Sequence, residues 1–190
     1  MNQKTIIGGL LALVILGIGF YAFNDRTAGP GLKTYTSNAY KISFQYPGTY
    51  FVSEKDMSGS ELRGHHVVML MEDTAENRSL ADGTYSGPPR EGPPTINVDI
   101  FQNNLDNQSP ENWVKNSSIS NYKLSPDGLL SSTAVGGEQA LRYTWSGLYN
   151  GVSYVAAHGD NMFMFSGTSL APQDPITRDF EDVVRSVQFK

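Results

Sequence analysis

The sequence predicts an α+β fold, helices packed on a mainly antiparallel sheet, preceded by one N-terminal transmembrane helix. Three observations predict it. Apolar and polar residues alternate in several short runs after Pro30. Most of these runs are joined by turn dipeptides. Two helix starts, at Ser109 and Asp174, fall between and after the strands and do not alternate with them, which indicates antiparallel layers.

The first element is the run Ile6 to Phe23, IIGGLLALVILGIGFYAF, which carries no charged residue. As a helix its eighteen residues reach roughly 27 Å, close to the bilayer hydrocarbon thickness of about 30 Å. A cleaved signal peptide competes, but its core is shorter, about 7–15 residues, and ends at a small-residue site. Here the core ends in Phe20, Tyr21 and Phe23, which suit a membrane interface. The organisation expected is a tail over 1–5, an anchor or uncleaved signal-anchor over 6–23, a linker over 24–34 and a domain over 35–190. A short tail with Lys4 before the apolar core resembles an export signal-anchor, so the domain is expected outside the cytoplasm.

From Pro30 onward 12 Lys and Arg face 18 Asp and Glu, a formal charge of −6. An acidic domain without basic clusters is a poor partner for nucleic acid, whose affinity rests on phosphate neutralisation. It is equally poor for anionic lipid headgroups. The chain has no cysteine, so disulfides, thiolate metal sites and cysteine nucleophiles are excluded.

Within the domain, Tyr40, Ile42, Phe44 and Tyr46 alternate with polar residues until Pro47-Gly48 stops the strand. Tyr50 to Val52 is expected to return beside it, and His66 to Met71 forms a third strand. From Asp73 to Pro94 the pattern collapses into Asp82-Gly83, Gly87-Pro88-Pro89 and Gly92-Pro93-Pro94, so a mobile surface loop is expected. Ile96, Val98 and Ile100 resume alternation. Ser109-Pro110-Glu111 starts a short helix through about Asn116. Thr133 to Val135 is a strand edge, Gly136-Gly137 a turn, and Ala140 to Trp145 the return strand. Asn150-Gly151 signals a type I′ hairpin before Val152 to His158. Asp160-Asn161 turns the chain into Met162 to Gly167, completing an antiparallel meander. Finally Asp174 caps and Pro175 begins a helix whose Ile176, Phe180, Val183, Val184 and Val187 share one stripe. Val187 to Phe189 can add a last strand.

Three of these segments together resemble the PsbP-like domain. They are Tyr40-x-Ile42-Ser43-Phe44-x-Tyr46-Pro47, Val135-Gly136-Gly137-x-x-Ala140-x-x-Tyr143 and Phe180-x-x-Val183-Val184-x-Ser186-Val187-x-Phe189. That family includes the extrinsic subunit of photosystem II and many anchored or secreted bacterial relatives. The resemblance covers about Thr34 to Lys190 and rests on core positions. It implies an α/β/α sandwich around an antiparallel sheet, and no functional residues come with it.

Candidate chemistry is sparse. Ser166-Gly167-Thr168-Ser169-Leu170-Ala171-Pro172 is similar to the nucleophile segment of subtilisin-like proteases, with His158 and Asp160 upstream. The predicted hairpin nevertheless separates Ser169 from His158 by roughly 20 Å, whereas a serine and its base must lie within about 3 Å. His65 and His66 point to opposite faces of a strand; either could join His158, with Asp160 or Glu72, to hold a cation. Asp179, Glu181 and Asp182 are expected on the solvated helix face. For a partner, Tyr149 at the hairpin tip, with Asn150 and Trp145, offers aromatic area with a polar handle.

The function expected is a noncatalytic binding or assembly module, tethered to the bilayer through Ile6 to Phe23 and requiring no cofactor. Its partner would be a membrane-protein complex or envelope component. The alternatives are a hydrolase using Ser169 or His158, and a cation-binding regulator using His65, His66 or His158.

Overall fold

The computed structural model describes residues 31–59 and 63–190. The predicted anchor over Ile6–Phe23, the tail before it and the linker up to residue 30 lie outside these residues. Among the described residues no helix is long and apolar enough to cross a membrane.

Among the described residues ten strands and three α-helices follow in chain order. Strands β1 (Leu32–Ser37), β2 (Ile42–Pro47) and β10 (Gln188–Phe189) form a small sheet in the order β1-β2-β10. The main sheet contains β3 (Tyr50–Asp56), β4 (His65–Glu72), β5 (Ile96–Gln102), β6 (Ser131–Val135), β7 (Glu138–Ser146), β8 (Asn150–His158) and β9 (Asn161–Ser169). Its order is β3-β4-β5-β9-β8-β7-β6, and every pair is antiparallel. Strands β6 to β9 are the predicted meander. The helices are α1 (Ala75–Asp82), α2 (Pro110–Asn116) and α3 (Pro175–Arg185), with a single 3-10 turn at Tyr122–Leu124.

Alternation along the strands creates two buried faces. On one, Val68, Leu70, Ile96, Val98, Tyr154, Ala156, Phe163 and Phe165 meet α3 and the small sheet. The stripe predicted for α3 is buried there, and each such side chain contributes about 1.5–3 kcal/mol relative to exposure. Phe180 sits so close over Gly167 of β9 that no Cβ fits at that position. On the other face Phe101, Tyr143, Val155, Met162 and Met164 meet Trp113 and Val114 of α2. Ser109 caps α2 by accepting from the Asn112 amide at 3.3 Å.

Seven expectations are corrected. Tyr50 to Val52 does not return beside β2; it opens the main sheet and pairs with β4, because β2 is already flanked by β1 and β10. The linker expected through residue 34 gives way to β1 at Leu32. The stretch expected to be loop from Asp73 to Pro94 holds α1 near its start, and residues 83–94 after it lack helix or strand. That helix is held by its ends: Thr74 accepts from the Asn77 amide, and Gly83 closes it at φ 72°. Arg78 lies 4.6 Å above the Phe51 ring.

Both hairpin turns shift by a residue or more. Asn150 already pairs with Ser146, so Gly147, Leu148 and Tyr149 make the turn and Gly151 sits in the strand. His158 pairs with Asn161, so Gly159 and Asp160 make the other turn, with Gly159 at φ 54°. The Asp174 carboxylate does not cap α3; it turns back and accepts from the Leu170 and Ala171 amides at 2.9 and 2.8 Å. Asp179 is also not solvated: it is buried and accepts from the Tyr50 hydroxyl at 3.1 Å.

Candidate functional site

The antiparallel register gives the domain two distinct ends. One collects Tyr50, Glu72, Ile96, Ser169 and Asn150, and the other collects Asp56, His65, Gln102, Asn161 and His158. The predicted chemistry divides between them.

The first end carries the predicted partner site. Trp145 is half-buried over Gly151 and donates its indole N–H to the Ser153 hydroxyl at 2.9 Å. Ser153 in turn shares a hydrogen bond with Ser166 across β8 and β9 at 2.8 Å. The Asn150 amide donates to the Leu170 carbonyl at 3.2 Å, and the Tyr149 hydroxyl donates to the Gly92 carbonyl. The structure therefore brings all three residues together, each occupied in holding the tip. The surface they hold up is apolar. Leu148 and Leu170 are 67% and 69% exposed, and Leu124 packs beside Gly147 while remaining half exposed. Leu129 is also exposed where the chain approaches β6.

These leucines were not singled out from the sequence. Leu129, Leu148 and Leu170 stand in loops and Leu124 ends the short 3-10 turn, where neither helical nor strand periodicity applies. The only signal was an apolar residue inside each turn segment, Gly147-Leu148-Tyr149 and Ser169-Leu170-Ala171.

Edge strand β6 adds a second feature to this side. Ser131 to Ala134 are exposed, and the strand has no partner beyond β7 among the described residues. Unpaired edge groups are a template for another strand. The opposite edge, β3, differs: Glu54 there accepts from the Tyr35 hydroxyl at 3.1 Å, and His66 lies 3.0 Å away. Burial first, then the Glu54 charge, push the Tyr35 hydroxyl well above its ordinary pKa.

The second end holds the three histidines, each between a ring and a carboxylate. His65 stacks on Phe101 at 4.2 Å and lies 2.8 Å from Asp99. His66 stacks on Tyr40 at 5.0 Å, with Glu54 as its acid. His158 stacks on Phe189 at 4.5 Å and lies 2.9 Å from Glu138. His65 faces α2, whereas His66 and His158 share the other face, three strand spacings or about 14 Å apart. The histidines are thus not brought together. Among the described residues no group of three or more His, Asp or Glu is arranged to hold a metal ion. An open cleft of about 280 Å³ at this end is lined by Tyr40, Asp56, His65, Gln102, Asp160 and Asn161, among others. Hydrogen bonds from Ser58 hold the Asp56 carboxyl below the usual carboxylate range.

Ser169 lies at the first end and His158 at the second. Ser169 is eight positions along β9 from Asn161, the partner of His158, or about 26 Å. Ser169 and His158 therefore form no catalytic pair.

The fold has a known counterpart. The solution structure of cyanobacterial PsbP (CyanoP) from Synechocystis sp. PCC 6803 superposes with a TM-score of 0.51. The match covers 86% of this chain and 95% of that one, at 11% sequence identity. The chain has a PsbP-like fold. At that identity the likeness concerns the PsbP-like architecture and not its chemistry. A crystal structure from Bacteroides thetaiotaomicron also aligns, with a TM-score of 0.44 and 13% identity over 83% of this chain and 48% of that one. No family model and no curated protein matches the sequence.

Proposed function

We propose that this PsbP-like domain is a noncatalytic binding or assembly module. It is held at a membrane by Ile6–Phe23 and displayed on the extracytoplasmic side, where it docks on a protein of a membrane or envelope complex. The observation that carries the reading is the side of the domain around β6. An uncharged edge strand, uncovered among the described residues, lies there next to the exposed Leu129. A strand edge supplies main-chain hydrogen bonds to an extended partner segment. Flanking apolar side chains supply buried area. Tyr149, Asn150 and Trp145 keep the adjacent tip in shape, so that a partner meets a preformed surface.

The location is tested on membranes from cells making the chain. Carrying Lys190→Cys, its only cysteine, the chain should resist alkaline extraction and react with a membrane-impermeant maleimide in intact cells. Release by the alkaline wash, or a cysteine that reacts only after permeabilisation, would overturn the reading.

A further inference from the structure

The chain enters the domain at the end where Leu148 and Leu170 are exposed. Gly31 and Leu32 begin the described backbone there: the Gly31 carbonyl accepts from Gly48, and Leu32 pairs with Pro47. The following strand ties that corner to the main sheet, with Lys33 donating to the Tyr50 carbonyl at 3.3 Å and Asp73 to that of Thr49 at 2.8 Å. From β3 the sheet order crosses β4, β5 and β9 to reach β8, four strand spacings or about 19 Å. Leu32, Leu148 and Leu170 are each 60% exposed or more, and they share this one end. Tyr149 stands beside Leu148.

Seven residues, Asn24 to Pro30, separate Gly31 from the apolar run Ile6–Phe23. Even fully extended, seven residues span only about 25 Å. The end of the domain that carries the leucines is therefore the end leashed nearest to the run. Basic side chains at this end are taken up by acids, Arg78 by Asp73 and Arg90 by Glu76, and Glu72 and Asp174 lie there as well. A surface of exposed leucines with an adjacent tyrosine, and no basic surplus, matches the uncharged interface of a zwitterionic bilayer. Leucines enter the acyl boundary there, and tyrosines favour the headgroup level.

We infer that this end of the domain seats on the bilayer surface, with Leu148 and Leu170 inserted and Leu32 at the margin. The inference rests on the membrane-held reading above. It adds an orientation: the sheet strands stand away from the membrane, and the histidine end points outward. The β6 edge is then presented sideways, to a partner lying on the same membrane.

The absence of cysteine makes a direct test available. The full chain carrying Leu148→Cys, Leu170→Cys or, at the far end, Leu105→Cys is labelled with an environment-sensitive fluorophore. It is then reconstituted in phosphatidylcholine vesicles, with and without lipid bearing a nitroxide high on the acyl chain. Leu105 is as exposed as Leu170, so it controls for affinity of the dye itself. At 148 and 170 the emission should shift to the blue and lose most of its intensity to the nitroxide lipid; at 105 it should do neither. If 148 and 170 behave like 105 while the chain floats with the vesicles, the seating is wrong and the tether stands. A blue shift without nitroxide quenching places the patch against a second copy and also overturns the seating. A chain that does not float overturns both.

Discussion

Trp145 lies across Gly151, its antiparallel partner on the next strand, and leaves no space there for a Cβ. The ring rests on bare backbone and directs its N–H to Ser153, two residues further along β8. Gly151 is therefore present for close approach, not for a turn. Replacing it with valine should displace the indole and cost about 1–3 kcal/mol, the range for overpacking. Denaturant midpoints measure the loss, and a red shift in tryptophan emission should accompany it. An unchanged midpoint would contradict the packing.

Tyr143 makes a second test on the same face. It is 2% exposed, and its hydroxyl donates to the Ser120 carbonyl where the 3-10 turn packs on β7. Tyr143→Phe leaves that carbonyl without the donor and should cost about 1–3 kcal/mol. Burial also pushes the hydroxyl well above its ordinary pKa. The unfolded chain then ionises first, near pH 10. The corresponding stability is complete below that value and is lost as pH rises above it. The phenylalanine variant should show a shallower alkaline loss of stability than the parent.

Arg63 and Asp106 clamp the β3–β4 connection to the segment before α2, with both terminal guanidinium nitrogens donating to the carboxylate. The pair, helped by Gln108, lowers the Asp106 carboxyl to about 2. A depressed carboxylate stabilises the fold above its unfolded value near 3.9. That contribution is lost as pH falls toward about 2. Carboxyl carbon shifts followed by NMR should place the Asp106 midpoint near 2 in the parent and move it up toward the ordinary carboxylate range in Arg63→Ala, where the Gln108 hydrogen bond still holds it down.

Strands with one buried face were legible in the sequence because period two marks them directly, as in Ile42, Phe44 and Tyr46. The caps Ser109-Pro110 and the α3 stripe were legible for the same local reason. Partner choice was not. Whether Tyr50 turns back on β2 or opens another sheet depends on β10, which arrives 138 residues later. Helix α1 was invisible because it buries almost nothing apolar: Asn77 is its buried residue, donating to the Glu72 carbonyl at 3.0 Å. The tip was half legible. Tyr149, Asn150 and Trp145 read as contact residues in the sequence, and the folded chain uses all three internally. The surface they hold up belongs to Leu148 and Leu170, which no periodicity could flag.

Because α1 depends on its caps, Thr74→Ala should weaken it by about 0.5–2 kcal/mol. The loss should be local. Hydrogen exchange at the Asn77 amide should accelerate, while amides in β9 keep their protection. Uniform acceleration would show that α1 unfolds only with the whole domain.

The claim that this domain works by binding is tested most directly by site-specific photo-crosslinking in native membranes. A photoreactive amino acid replaces Leu129 beside the β6 edge in one sample and Leu105 at the opposite end in another. Both positions are exposed, 63% and 69%, so reactivity alone does not separate them. The account predicts a discrete protein adduct from position 129, absent from position 105 and lost when β6 is broken by Thr133→Pro. No adduct from 129, or the same adducts from both positions, would contradict it.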